Sequence, residues 1–354
     1  MRRMASEVAV IGAGIFGLAC AWEIARRGTR VRVIEANQIG AGSSGGTVGA
    51  LAPHAPENWN AKKQMQLDAL VAAEGWWAEI GAAGGVDPGY ARTGRVQPAD
   101  PAQEPLLRAR IAAAAAHWPT PFAMALGDDL PDGAIRPESP AGLFLTDTLT
   151  ARIAPRAALR ALVAAIRAAG GEVAEDCGIQ HPDRLTGPAI WATGAPGLGM
   201  LSADLGRMTG NGVKGQSALL ALAAPDAPQV FANGVHVVPH ADGTVAVGST
   251  SERAFSDPAA TDAQLEALID RAAAICPALA GAQVIDRWAG IRPRAVSRAP
   301  LLGQWPGRPG HLLANGGFKI GFGMAPAIAA MVADLVLDGT DRIPEAFRLP
   351  CPAT

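Results

Sequence analysis

The stretch VAVIGAGIFGLACAWEIARRGTRVRVIEA, residues 8–36, decides the fold. Val8–Gly12 is an unbroken apolar run and reads as a buried parallel strand. Gly12, Gly14 and Gly17 follow as G-x-G-x-x-G. From Ile15 to about Arg27 the apolar residues recur at helical spacing, and Gly28 ends the helix. A second strand, Val31–Ile34, runs into Glu35. The three glycines serve a tight turn, a close backbone approach to a pyrophosphate, and close packing of helix on strand. The helix N-terminus offers free N–H groups and a positive dipole end to phosphates. Glu35 falls about twenty residues on, where a carboxylate takes both ribose hydroxyls. The glycines alone would mean only a turn. Strand, glycines, helix, strand and acid in one unit mean a dinucleotide site.

Outward from this unit, 354 residues suffice for a sizeable core in two lobes. Hydrophobic residues make up 49% of the chain, which excludes a disordered protein. Net charge is −2 and basic residues form no long run, so nucleic-acid binding by phosphate neutralisation is not expected. Cys20, Cys177, Cys276 and Cys351 form neither a C-x-x-C nor a Cys/His cluster. Reduced thiols, no metal and a cytoplasmic location are therefore expected. Arg2 and Arg3 ahead of the apolar run from Val8 to Trp22 mimic a signal peptide, but the nucleotide fold accounts for that run. It is also too short to span a bilayer, so no integral membrane segment is expected.

Further along, Asn60–Ile80, Glu104–His117, Ile153–Ala169 and Asp262–Ile275 read as helices, and a last helix is expected from about Ala325 to Leu337. Pro188–Ala192, Gly212–Leu222, Val235–Pro239, Thr244–Gly248 and Val284–Ala289 read as strands, with Asp242–Gly243 as a hairpin turn. The fold class expected is α/β: a Rossmann-like nucleotide domain interleaved with a mixed-sheet α+β substrate domain. Residues 1–84, 147–206 and 286–354 would form the first, and 85–146 and 207–285 the second.

A nicotinamide enzyme needs only the first unit. Here three more glycine-bearing segments, Gly42–Gly49, Ala192–Gly194 and Gly316–Gly323, can bring backbone amides to a flat hydrogen-bonding ring. The last can aim a helix N-terminus at a reduced, anionic flavin. FAD is the cofactor expected. Its contacts would be Gly12, Gly14, Ile15, Phe16 and Gly17; Glu35 and Ala36; Ser43, Ser44, Gly45, Gly46 and Thr47; Ala192, Thr193 and Gly194; and Arg292, Gly316, Gly317, Phe318, Lys319, Ile320 and Gly321.

At this point the chain resembles the FAD-dependent D-amino acid oxidase, glycine oxidase and sarcosine oxidase family. The likeness runs through residues 8–36, GSSGGTVGALAPH (42–54), RIAPRAALRALVAAIRAAGGEV (152–173), AIWATGA (189–195), VHVVPHADGTVAVGST (235–250), WAGIRPRAVSRAPLLG (288–303) and GGFKIGFGMAPAIAAMVADLVL (316–337). It implies oxidation of an amine next to a carboxylate, giving an imine that hydrolyses. A small carboxylate-bearing amine would be the substrate, and oxygen or a quinone the electron acceptor. A homo-oligomer is possible within the family.

In such a reaction hydride leaves Cα for flavin N5, and no protein acid or base is needed if the amine binds uncharged. The protein must hold the carboxylate, which arginine's fork suits best. Arg292 in WAGIRP matches the family's carboxylate-binding arginine; the alternative is a structural ion pair. Lys319 matches a basic substrate-contacting position; the alternative is a lysine capping carbonyls. His236 stands where many relatives carry a tyrosine that closes the pocket, and Tyr90 is the only tyrosine here. His54 follows the flavin-side loop, and His240 is expected to be exposed. Covalent-flavin relatives place a cysteine near Gly290; none is present, so FAD is expected to be non-covalent. Ser297 replaces an acid common in the family, and the short stretch from Val173 to Ala189 implies a trimmed adenine side. Two rival readings remain: oxidation of an N-substituted glycine, and a flavin-binding accessory subunit without turnover.

Overall fold

The apolar run at Val8 becomes a strand with both neighbours parallel to it, buried on two faces. The computed structural model describes residues 7–350; Arg2, Arg3 and Cys351 lie outside them. The elements are, in order, β1 (Val8–Ile11), α1 (Ile15–Arg26), β2 (Val31–Ile34), β3 (Ala50–Leu51), α2 (Ala61–Gly84), β4 (Arg95–Pro98), α3 (Glu104–His117), β5 (Met124–Gly127), β6 (Phe144–Asp147), β7 (Ala151–Arg152), α4 (Pro155–Ala168) and β8 (Glu172–Ala174). Then come β9 (Ala189–Trp191), α5 (Gly194–Asp204), β10 (Gly210–Ala221), β11 (Gln229–Ala232), β12 (Val235–Pro239), β13 (Thr244–Gly248), α6 (Ala263–Ile275), β14 (Val284–Ala295), β15 (Leu301–Gln304), β16 (His311–Asn315) and α7 (Gly321–Asp338).

One sheet runs β15-β16-β9-β1-β2-β8 and is parallel except at β15. The chain leaves β1 for β2 on one side and returns to β9 on the other. Ligands of such sheets sit at this switch point, beyond the carboxyl ends of the strands. The second sheet runs β14-β10-β13-β12-β11-β4-β6-β5 and is antiparallel except where β11 meets β4. Helix α6 covers it with Leu265, Leu268, Ala272 and Ile275.

The boundary expected at residue 286 cuts through β14. That strand pairs with β10 from Val284 to Ala295, so it belongs to the second sheet. It also outruns the expected end at Ala289, because an edge strand tolerates Pro293. Helix α5 was not expected from GAPGLGMLSAD; tertiary packing of Leu198 and Leu201 against Trp191 and Trp305 overrides its glycine content. Helix α7 starts at Gly321, four residues early, and carries Pro326 inside it. It is long and apolar enough to cross a membrane, with mean hydropathy 1.5. It packs here against α1 and α2.

Helix α1 is buried from Ile15 to Ala25, which requires close approach on every side. A Cβ at Gly17 would stand 1.9 Å from the Gly12 carbonyl oxygen, and Gly12 itself takes φ +103°. The helix therefore lies against the β1 turn only because both residues lack side chains. We expect Gly17→Ala to cost about 1–3 kcal/mol of stability through forced displacement of α1. Urea melts of the two proteins measure this, and coincident transitions would refute the packing argument.

Candidate functional site

A cleft of about 920 Å³ opens at the switch point and extends under the second sheet. Three helix N-termini converge on it: Ile15 and Phe16 of α1, Gly194–Pro196 of α5, and Gly321–Gly323 of α7. Each brings first-turn N–H groups that have no intrahelical acceptor, and a positive dipole end, to the wall. At α1 the Ser44 hydroxyl accepts the Ile15 N–H at 3.0 Å, fixing the Ser43–Gly45 turn over the glycine loop. Glu35 ends β2 with one carboxylate oxygen accepting the Ala13 N–H (2.7 Å) and the other accepting the Asn37 N–H (3.1 Å). Among the described residues it is the only acidic one lining the cleft.

Most residues expected at the cofactor line this cleft: Gly12, Gly14, Ile15, Phe16, Glu35, Ala36, Ser43, Ser44, Gly46, Thr47, Ala192, Thr193, Gly194, Arg292, Gly317, Phe318, Lys319 and Gly321. Four do not. Gly17 packs on the Gly12 carbonyl, and Gly45 on the Gly40 carbonyl, where a Cβ would come within 2.2 Å. Gly316 turns the chain at φ +74° behind the wall, against Ala295. Ile320 lines a smaller neighbouring cavity instead.

The residues fit a dinucleotide. The cleft has the volume, the turn at Gly12 admits no Cβ because the Ala192 carbonyl lies 2.6 Å from that position, and amides surround the phosphate end. Trp288, which was not expected at the site, forms part of the wall; its ring lies over Gly46 and fills the space a Gly290 side chain would take.

Arg292 lies on β14 opposite Val213 of β10 and is only 9% exposed. Its guanidinium donates to the Thr250 carbonyl at 3.1 Å and makes no ion pair among the described residues. It lies across Gly215, whose Cβ would be 1.9 Å from Nη1. Burial pushes its pKa down to about 10, and the charge of Glu252 opposes that shift, so it remains a cation at neutral pH. Behind it is a buried network that sequence reasoning did not find. Gln216 donates to Glu252 (3.0 Å) and Asp262 (2.9 Å), Thr250 bonds Glu252, and Lys214 stands 3.8 Å from Glu252.

Lys319 presents its accessible surface to the cleft and to the smaller cavity beside it. Partial burial, then Arg292 and Arg294, lower its pKa from the usual lysine value. His236 on β12 lines both cavities, tilted against Phe231 at 4.6 Å between ring centroids. Its Nδ1 is buried and unpartnered. Burial, with Arg95 and Lys319 adding, pushes it down to about 3, so it is neutral. His54 lines neither cavity; its backbone and ring both bond Gln66. His240 is buried, not exposed as expected: the turn at Asp242–Gly243 folds it against the Gly40–Gly49 loop, with Nε2 3.0 Å from the Thr47 carbonyl.

Residues 7–335 match the family of FAD dependent oxidoreductases that includes D-amino acid oxidase. Glycine oxidase from Pseudomonas putida is 29% identical over 96% of each chain. The structure of glycine oxidase from Geobacillus kaustophilus superposes with a TM-score of 0.86 at 23% identity, covering 98% of this chain and 99% of that one. That of iminodiacetate oxidase from Chelativorans sp. gives 0.84 at 23% identity, covering 97% and 98%.

The His236 environment has a measurable consequence. Its folded pKa, about 3, lies below the ordinary 6.5, so the unfolded chain takes up the proton first. The stability of the neutral buried ring is intact above pH 6.5 and is lost as pH falls toward 3. We expect wild type to lose more stability than His236→Gln across that window, read by denaturant melts at each pH. Parallel pH curves would refute the assignment. This chain, matched over residues 7–335, belongs to the FAD-dependent oxidoreductase family of D-amino acid oxidase.

Proposed function

We propose that the chain oxidises a small amine that carries a carboxylate on the adjacent carbon, a D-amino acid or a glycine-like compound, with Arg292 as the carboxylate anchor. The observation that carries this is a buried guanidinium on the cleft wall with a backbone carbonyl, and no carboxylate, as its partner. Such a charge is costly to keep unpaired, and a ligand carboxylate completes its fork. Bound FAD supplies the two-electron acceptor for hydride from Cα, leaving an imine that water hydrolyses to the oxo acid and ammonia. The amides of Phe16 and Gly194, together with Glu35, would hold the dinucleotide end.

Within this reading the chain's residues orient the substrate, exclude water and set its protonation. Fixing the carboxylate supplies much of the rate through orientation. Arg292 and Lys319 disfavour a further cation beside them, which draws the proton off the substrate ammonium. Neutral His236 and Phe231 close the wall where relatives place a tyrosine. The same anchor serves an N-substituted glycine, as expected for the sarcosine-type alternative, and flavin bleaching against a substrate panel separates the two. Oxygen uptake compared with quinone reduction identifies the acceptor.

Cys20, Cys177 and Cys276 do not line the cleft, which supports non-covalent FAD. Acid precipitation should therefore leave the yellow colour in the supernatant; colour in the pellet would overturn this.

Arg292→Ala should keep bound FAD but lower kcat/KM on the order of a thousandfold, the loss expected on truncating a buried charge-assisted pair. Arg292→Lys should restore only part, because a point charge does not reproduce the fork. Anaerobic flavin reduction with glycine, sarcosine and D-amino acids reads both. Near-normal reduction by Arg292→Ala would reject the anchor, and loss of FAD would assign this arginine a structural role.

A further inference from the structure

Beside the cleft lies a second cavity of about 300 Å³, and the two share Phe231, His236 and Lys319 as walls. Its far side is built by Arg95 from β4 and Arg110 from α3, with Gln97 between hydrophobic surfaces such as Leu51 and Met124. Among the described residues no acid lines it.

Both arginines are held from behind. Arg95 Nε donates to Asp147 at 2.8 Å, and the other oxygen of that carboxylate accepts the Thr150 N–H at 2.8 Å. Arg110 Nε donates to Glu57 at 2.6 Å. Neither Asp147 nor Glu57 reaches the cavity wall. Each carboxylate thus engages one edge of its guanidinium. The terminal nitrogens, the pair that forms an end-on fork, have no hydrogen-bond partner among the described residues and are not sealed from solvent. Two guanidinium groups fixed by their Nε edges, with free ends on one small cavity, make a preorganised receptor for a planar anion.

We propose that this cavity is the subsite for a second carboxylate, so that the chain acts on amines carrying a carboxylate on each of two arms. One arm would rest on Arg292, the other on Arg95 and Arg110. The proposal rests on the reading of Arg292 as the first anchor. The class includes N-(carboxymethyl)glycine and acidic D-amino acids. The reacting carbon and the electron balance are those of the proposed reaction; only the distal group is new. An apolar side chain would instead leave the two forks without an acceptor.

The test uses FAD-loaded protein in wild-type, Arg110→Gln and Glu57→Gln forms. First, kcat/KM is compared between N-(carboxymethyl)glycine and sarcosine, and between D-aspartate and D-alanine. The wild type should favour the dicarboxylate member of at least one pair, which also says which arm carries the second carboxylate. In Arg110→Gln that preference should fall about 10- to 100-fold, the value of a charge-assisted hydrogen bond. Glu57→Gln should hold the preference or raise it, because it removes the competing carboxylate and keeps the fork. A purely structural pair would make both variants fall alike, and that result would overturn the proposal. So would a wild type that favours the monocarboxylate in both pairs. Second, glutarate and butyrate are titrated as non-reacting ligands against the flavin spectrum. Glutarate should bind more tightly to wild type, and Arg110→Gln should lose the difference; equal affinities would overturn the subsite. This arm needs no turnover. If no amine reduces the flavin, the proposed reaction fails while the glutarate titration still decides the cavity.

Discussion

The buried guanidinium of Arg292 is the constraint around which the rest of the site is arranged. A charge at that depth is tolerated only if its surroundings are polar and fixed. The Thr250 carbonyl takes one donor, Gly215 leaves room for the planar group, and Glu252 supplies a compensating charge from behind. Those three residues come from β10 and the segment after β13, and the arginine itself from β14. The strand pair β10–β14 also packs against α5 of the nucleotide-binding sheet. The same two strands therefore carry the cation and join the two sheets, which explains why the expected boundary at residue 286 cuts through a strand.

The parts of this arrangement legible in sequence are those encoded locally. The unit from Val8 to Glu35 reads correctly because periodicity, turn glycines and a terminal acid all lie within one stretch. The hairpin at Asp242–Gly243 follows from turn chemistry in the same way. Misreadings occur where tertiary contact overrides local preference. Helix α5 contains three glycines and a proline, and it forms because its leucines cover Trp191 and Trp305. His240 looks like a turn residue and is buried because a loop some two hundred positions earlier lies across it.

At the site the same division holds. Arg292, Lys319 and His236 stand together on the cleft wall, and sequence motifs point to each of them. The Gln216–Glu252–Asp262 network carries no motif, since its members are joined by folding alone. Arg95 and Arg110 sit on a strand and a helix with ordinary surface-like spacing, and only the packing of α3 over the second sheet brings them to one cavity. Gly17 and Gly45 illustrate the opposite case. Both stand among the expected cofactor contacts, yet what requires glycine at each is a neighbouring carbonyl, for Gly17 the helix-on-strand packing that the motif implies.

Electrostatics link the two ends of the cleft. Glu35, at the end of β2, is the only acid on its wall among the described residues, and Arg292, Lys319 and three helix N-termini line the same cleft. The resulting field favours anions wherever the backbone amides are free. In the proposed reaction it also bears on the proton that the amine would lose before its Cα–H leaves as hydride. A dedicated base is not needed where fixed cations already penalise the ammonium form, and neutral His236 offers little basicity with its pKa near 3. Lys319 fits the same account: partial burial, then Arg292 and Arg294, lower its pKa from the usual lysine value. In the proposed reaction such a site would bind the carboxylate and favour loss of the ammonium proton through a single arrangement of charge, and the β10–β14 pair that places Arg292 would serve both.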